Sequence, residues 1–307
     1  MSIPKRYNSF SAELKRVFGC KVQRISVDAG FSCPNRDGAL DHRGCIFCGG
    51  MGSGSHGIRR DLDVVAQLEH GKEVMRRKYR ATRFLAYFQA YSNTYAPVER
   101  LELLFGQALL TPDVVGMIVA TRPDCLPREV LDYLRKLSLQ TYFWLELGMQ
   151  SIHDKSLAYL NRRHDYACFV RAMEECRSRD LRVCAHVILG LPGESRDEML
   201  AMAGELNRLG VNGVKLHLLH VMKGTRLAEM HGRGEVPLME RDEYAGVVCD
   251  FLELLDPAIL VHRLTGDGGH DNLVAPLWSL KKFEVLNLID AELERRGSCQ
   301  GSRFVKS

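Results

Sequence analysis

At 307 residues with 46% hydrophobic and 26% charged side chains, the chain can bury a large core, which excludes an intrinsically disordered or low-complexity protein. A net charge of +4 does not by itself mark a polyanion binder, and there is no uncharged stretch of about eighteen apolar residues to span a membrane. Ten cysteines, three of them clustered early, in a chain opening on the polar "MSIPKRYNSF", predict free or metal-bound thiols in a reducing cytoplasm rather than a disulfide framework.

After an N-terminal segment over residues 1–22, short β-rich runs recur: "QRISVDA" (23–29), "RFLAYFQ" (83–89), "VVGMIVAT" (114–121), "TYFWLELG" (141–148), "RVCAHVILG" (182–190) and "GVKLHLL" (213–219). Amphipathic stretches long enough for helices separate them: "DLDVVAQLEHGKEVMRRKY", "PVERLELLFGQALL", "PREVLDYLRKL", "ACFVRAMEECRSR" and "SRDEMLAMAGELNRLG". In the last, Ser195 and Glu198 have the spacing of a capping box. Strand followed by helix, repeated, predicts a parallel sheet, and continuous apolar strands predict burial on both faces. The expected fold is α/β, a partial (β/α)6 barrel of the TIM type over residues 23–235. A C-terminal extension over 236–307 is expected to complete the barrel side, with a seventh strand near "VHRLTG". In such barrels the chemistry gathers at the carboxyl ends of the strands. The early cysteines, "QAYSNTY", "TRPD", "ELGMQS", "GLPGES" and "KLHLLHVMKGT" all fall there.

The stretch "CPNRDGALDHRGCIFCGG" (33–50) carries Cys33, Cys45 and Cys48. Zinc could take these three thiolates with His42 or His56 as a fourth ligand, and a 4Fe-4S cluster could take them and keep one iron open. From this stretch alone zinc is the favoured reading, because C-x2-C is so common in zinc sites, and the cluster stays open as the alternative. Cys20 is a further thiolate, but it precedes the first strand and is expected at the opposite end of the barrel. The other six cysteines read as small apolar residues or tail.

The three cysteines after the first strand, with "ELGMQS", "LNRR" and "HVILGLPGE", resemble the radical S-adenosylmethionine (SAM) superfamily. More closely, "GFSCPNRDG", "FQAYSNTYAP", "ATRPDCLP", "LELGMQSIHDKSLAYLNRRHD" and "VKLHLLHVMKGT" are similar to the YhcC/YtqA-type proteins, and through them to the radical SAM domain of the elongator catalytic subunit. The resemblance implies that Cys33, Cys45 and Cys48 hold a [4Fe-4S] cluster whose fourth iron chelates SAM, and that reductive cleavage of SAM yields a 5′-deoxyadenosyl radical. It implies SAM contacts from Gln150 (ribose), Arg162 (methionine carboxylate), His186 (ribose) and Gly190 (adenine). Gln89 and Ser92 would take over part of the amino-group contact usually made by a glycine-rich stretch. Ala120 stands where relatives often carry Glu, which leaves Glu146 as the expected partner of the amino group. A flavodoxin or ferredoxin is the implied electron donor.

On the substrate side, Lys215 and His217 share one face of a strand and are the catalytic candidates. The alternative for Lys215 is an ion pair with Glu146. Arg263, Asp267, His270, Trp278 and Lys282 lie in a glycine-rich C-terminal stretch that reads either as a loop over the substrate or as a surface turn. The elongator resemblance implies a transfer RNA substrate at the wobble uridine, or a nucleoside. The basic "MRRKYRATR" (75–83), Arg162-Arg163 and Lys281-Lys282 are either its phosphate track or solvated helix faces. The competing functions are a radical enzyme acting on a protein or small metabolite and a non-catalytic, zinc-containing RNA-binding protein.

Overall fold

Seven strands form one parallel sheet in a computed structural model that describes residues 5–50, 58–266, 269 and 271–306. The chain opens on α1 (Phe10–Phe18) and then alternates β1 (Val22–Val27), α2 (Val64–Tyr79), β2 (Arg83–Phe88), α3 (Val98–Leu110), β3 (Val114–Thr121) and α4 (Arg128–Gln140). It continues through β4 (Tyr142–Gln150), the short α5 (Asp154–Tyr159), α6 (Tyr166–Ser178), β5 (Val183–Leu189), α7 (Arg196–Leu209) and β6 (Gly213–Leu218). The last part holds β7 (Val221–Met222), α8 (Arg226–Gly232), α9 (Arg241–Leu254), β8 (Leu260–Arg263), β9 (Leu273–Ala275) and α10 (Lys282–Arg295). Sheet order is β1-β2-β3-β4-β5-β6-β8, so each strand pairs with its predecessor in the barrel, and the sheet curls into a half-barrel with β1 and β8 as its edges.

The six expected strands are all present, and β8 of the C-terminal segment extends the same sheet. The capping box forms as read: Ser195 Oγ accepts from the Glu198 amide at 3.2 Å and the Glu198 carboxylate accepts from the Ser195 amide at 2.8 Å. Beyond the expectation, β7 and β9 pair as a small antiparallel ribbon above the carboxyl end of β6. Helix α1 lies in the segment that carried no predicted element. It buries Phe10 and Leu14, with the Phe10 ring stacked 3.8 Å from His262 and edge-on to Trp144 at 5.6 Å, and so covers the lower end of the barrel interior.

Strand period explains where each side chain goes. On β4, Phe143, Leu145, Leu147 and Met149 enter the large core between sheet and outer helices, while Trp144, Glu146, Gly148 and Gln150 turn inward. The same alternation sends Tyr87, Ala120, Cys184, His186, Lys215 and His217 to the inside. The interior is therefore apolar at its floor and increasingly polar toward the carboxyl ends.

Of the two readings of the basic stretch 75–83, the structure favours the helix face over the phosphate track. The basic stretch 75–83 ends α2 and begins β2, at the amino ends of the strands, opposite the site described below. Arg76 pairs with Asp113 at 2.6 Å just ahead of β3, and Lys21 and Lys78 both lie over the Tyr79 ring. These residues do not converge with Arg162. Among the described residues no helix is long and apolar enough to cross a membrane.

Candidate active site

A cavity of about 590 Å³ opens at the carboxyl ends of the strands. Cys33, Cys45 and Cys48 reach it from the loop after β1, and Gln89 and Ser92 from the loop after β2. Ala120 and Arg122 come from the end of β3, Glu146 and Gln150 from β4, His186 from β5, and His217 from β6. Residues spread over nearly two hundred positions thus share one wall, as the topology requires.

The cysteine loop is shaped by its own backbone and gripped from the side. The Cys33 carbonyl accepts from the Arg36 amide at 2.8 Å, and the Cys48 amide donates to the Cys45 carbonyl at 3.0 Å. Asn35, fully buried, donates to the Asn161 carbonyl at 2.6 Å and to Cys45 Sγ at 3.4 Å. The segment after α5 takes left-handed conformations at Asn161 and Arg163 (φ 56° and 58°), which turns it onto the cysteine loop. There Asn161 donates to the Gly44 carbonyl at 2.7 Å, Arg163 pairs with Asp41 at 2.6 Å, and the Ile46 amide donates to the Leu160 carbonyl at 3.1 Å.

The donor set fits a cluster. All three cysteines are free thiols. Thiolates on one tetrahedral zinc, at about 2.3 Å from the metal, would stand under about 4 Å from one another. Among the described residues the group of metal-binding side chains with atoms all within 4.8 Å of one another is Glu146, Cys184 and His262, so the three loop sulfurs are spread more widely than one zinc would hold them. That buried trio is itself occupied, because Lys215 Nζ lies 2.5 Å from Glu146 Oε1. Burial pushes the Cys48 thiol up to about 12, with Cys45 and Cys33 acting in the same direction against Arg36 and Arg162. Metal cations would supply the charge needed to deprotonate it. His42 is exposed and packs over Gly38, away from the cavity, and His56 lies outside the described residues.

Gln150 and Arg162 meet at a distortion of β4. The register with β5 slips between Gly148 and Gln150, and Gln150 has φ 68°. A Cβ at Gly148 would sit 2.7 Å from Gln150 Nε2 and 3.0 Å from Arg162 Nη2, so both side chains fold over the space that glycine leaves. Arg162 is buried and donates to the Gly148 carbonyl at 2.9 Å and to Cys45 Sγ at 3.4 Å.

At the floor of the cavity, Glu146 is closed to solvent and anchors a polar network. Its carboxylate accepts from Lys215 Nζ at 2.6 Å and from the Tyr87 hydroxyl at 2.7 Å, and meets His186 Nε2 at 2.9 Å, while Lys215 also donates to the Tyr87 oxygen at 2.7 Å. Burial opposes the charge on Glu146, yet Lys215 and His186 hold its carboxyl well below the usual range, and burial brings Lys215 down to about 8. His217 is kept neutral, its proton affinity lowered well below normal by burial and then by Arg263.

The geometry decides between the two readings of Lys215 and revises that of Gly190. Lys215 faces inward as read but is only 1% exposed and lies beneath the cavity, in the ion pair with Glu146 that was its alternative to a catalytic role. Gly190 takes φ 81°, but the Met239 side chain packs against the face where a Cβ would be and Gly190 is not part of the cavity wall. Asp267 and His270 lie outside the described residues, Arg263 lines the cavity, and Trp278 donates to the Met239 carbonyl at 3.2 Å. The sequence reading passed over Tyr87, Asn35, Arg36 and Arg122. Tyr87 resembles a core aromatic in an apolar strand; the other three stand inside the quoted "CPNRDG" and "TRPD" motifs, where their polarity was the available signal.

Residues 42–206, more than half of the chain, match the model of the Radical SAM superfamily, and residues 211–295 match the Radical_SAM C-terminal domain. The chain belongs to the radical SAM superfamily. Its cofactors are those of the superfamily, a [4Fe-4S] cluster and SAM, and it is an enzyme, which overturns the non-catalytic zinc reading. This radical SAM enzyme is 45% identical to the YtqA protein of Bacillus subtilis over 98% of its own length and 93% of that protein. It is 25% identical over 186 residues to the tRNA uridine(34) acetyltransferase of Methanocaldococcus infernus, covering 60% of this chain and 34% of that one. Its fold matches the solved Elp3 of Methanocaldococcus infernus with a TM-score of 0.71 at 18% identity, over 91% of this chain and 64% of that chain.

Proposed function

We propose that this radical SAM enzyme holds its cluster on Cys33, Cys45 and Cys48, binds SAM against Gln89, Ser92, Gln150, Arg162 and His186, and modifies the wobble uridine of transfer RNA. The observation that carries the cofactor assignment is the single cavity in which the three free thiols meet the paired Gln150 and Arg162. When bound, the cluster supplies the electron that cleaves SAM. The chain's own residues then have separable tasks. Arg162 lies along the cysteine loop with its guanidinium fork ready for a carboxylate. Glu146, engaged by Lys215 and Tyr87, is better suited to fixing the ring of His186 than to taking the SAM amino group. His217, neutral and in the cavity wall, is the residue assigned to the substrate side.

The transfer RNA assignment is supported by the likeness to an enzyme named for uridine 34 of tRNA. The alignment spans 34% of that enzyme, so its acetyl transfer is not carried over to this chain. A small-metabolite or protein substrate is the second reading, favoured by the basic stretch 75–83 facing away from the cavity.

Two experiments test the proposal. Anaerobic reconstitution should give a brown, iron-loaded chain that cleaves SAM when reduced. Cys33→Ala, Cys45→Ala and Cys48→Ala should each lose the cluster and Cys20→Ala should keep it; a full cluster in any of the first three would reject the ligand set. Mass spectrometry of tRNA nucleosides from cells with and without the protein should show one modified uridine missing in the latter, and unchanged nucleosides would reject the RNA substrate.

A further inference from the structure

Arg122 is 3% exposed and lies in the cavity wall, a position that costs free energy unless each of its donors has a purpose. Its Nε and Nη2 grip Asp124 in a two-point ion pair at 2.8 and 2.6 Å, and Nη2 also donates to the Arg162 carbonyl at 2.9 Å. The guanidinium is therefore fixed in plane and orientation by three bonds. Its third nitrogen, Nη1, is buried without a hydrogen-bond partner among the described residues. Cys33 and Cys45 line the same cavity as Arg122. A rigid, desolvated N–H beside two thiols has the form of a preorganised donor awaiting an anionic acceptor.

We propose that Arg122 is a positioning residue of the cluster site, whose Nη1 donates to an anionic atom held at the cysteine loop, either a cluster sulfur or a carboxylate oxygen of SAM. Asp124 carries the guanidinium and offsets its charge, so what Arg122 contributes is mainly a directed hydrogen bond. Arg162 can act beside it, since its Nη1 and Nη2 each keep a second N–H beyond the ones given to Cys45 and Gly148, and its Nε is likewise unpartnered among the described residues. The inference rests on the three-cysteine cluster proposed above; iron content and visible absorption of the unmodified chain test that assignment separately.

The test compares Arg122→Gln with the unmodified enzyme after anaerobic reconstitution, reading iron per chain, cluster midpoint potential and SAM affinity by equilibrium binding. If the acceptor is the carboxylate, SAM should bind about tenfold more weakly at an unchanged potential, the effect of one charge-assisted hydrogen bond. If it is a cluster sulfur, the potential should fall with SAM affinity unchanged, because removal of a donor leaves the reduced, more negative cluster less stabilised. A change in both readouts also supports the proposal. Unmodified potential and affinity in an iron-loaded Arg122→Gln chain would overturn it. Should that variant not load iron, Asp124→Asn, which keeps the guanidinium but loosens its anchor, is read the same way. A shift in either quantity supports the proposal, and unmodified values reject it.

Discussion

Lys215 and Glu146 meet 2.5 Å apart with both side chains closed to solvent, so neither charge can be removed alone without leaving the other unpaired. Lys215→Met should destabilise the fold by about 3–5 kcal/mol, whereas Lys215→Met combined with Glu146→Leu should cost far less. Urea unfolding of both variants checks this, and a single variant no worse than the double would mean that the pair is not an ion pair. His262 gives a pH prediction. Burial lowers it from 6.5 to about 4, so as pH falls the unfolded chain takes up this proton first. Its contribution, about 3 kcal/mol, is present at neutral pH and lost between pH 6.5 and about 4. His262→Phe, which keeps a ring on Phe10, should flatten that part of the stability profile. An unchanged acid slope would show that His262 charges readily in the fold. At this scale the sequence carried directions better than partners. Strand period put Lys215 and His217 inside and offered Lys215 either a substrate or Glu146, and the three-dimensional register decided for Glu146.

Among the elements, the end of β4 determines the site. A slipped register, a left-handed Gln150 and a glycine at 148 together let Gln150 and the Arg162 of the next turn fold onto one spot. Gly148→Ala should leave the core intact, since the glycine faces the cavity, yet displace both side chains. The expected result is SAM affinity lower by about tenfold at near-normal thermal stability. Equilibrium binding of SAM and a melting curve check it, and unchanged affinity would mean that the two side chains do not share the ligand. The twelve-residue spacing of Gln150 and Arg162 was legible because both stand in motifs. The bulge was not, because the strand was read as ending at Gly148 and the slip is imposed by pairing with β5. Helix α1 was missed for a related reason: it is short, and the value of Phe10, Leu14 and Phe18 on its apolar face appears once the barrel floor is there to receive them.

For the molecule as a whole, the half-barrel separates two basic regions that one line of sequence could not tell apart. Arg77 and Lys78 belong to the lower end, while Lys223 lines the cavity and Lys281 follows β9, whose partner β7 rises from the top of β6. An RNA whose base enters the cavity must lay its phosphates on the upper rim, because the lower end is a barrel length away. Lys223→Glu with Lys281→Glu should therefore weaken tRNA binding and reduce the salt slope by roughly one for each phosphate no longer neutralised. Arg77→Glu with Lys78→Glu should change neither. Binding titrations over a range of salt decide between the ends. If the lower pair carries the salt dependence, the wobble base cannot reach the SAM site in that complex and the RNA-modifying reading fails. If neither pair does, the phosphate track is absent, and a small substrate enclosed by the cavity becomes the reading that the geometry favours.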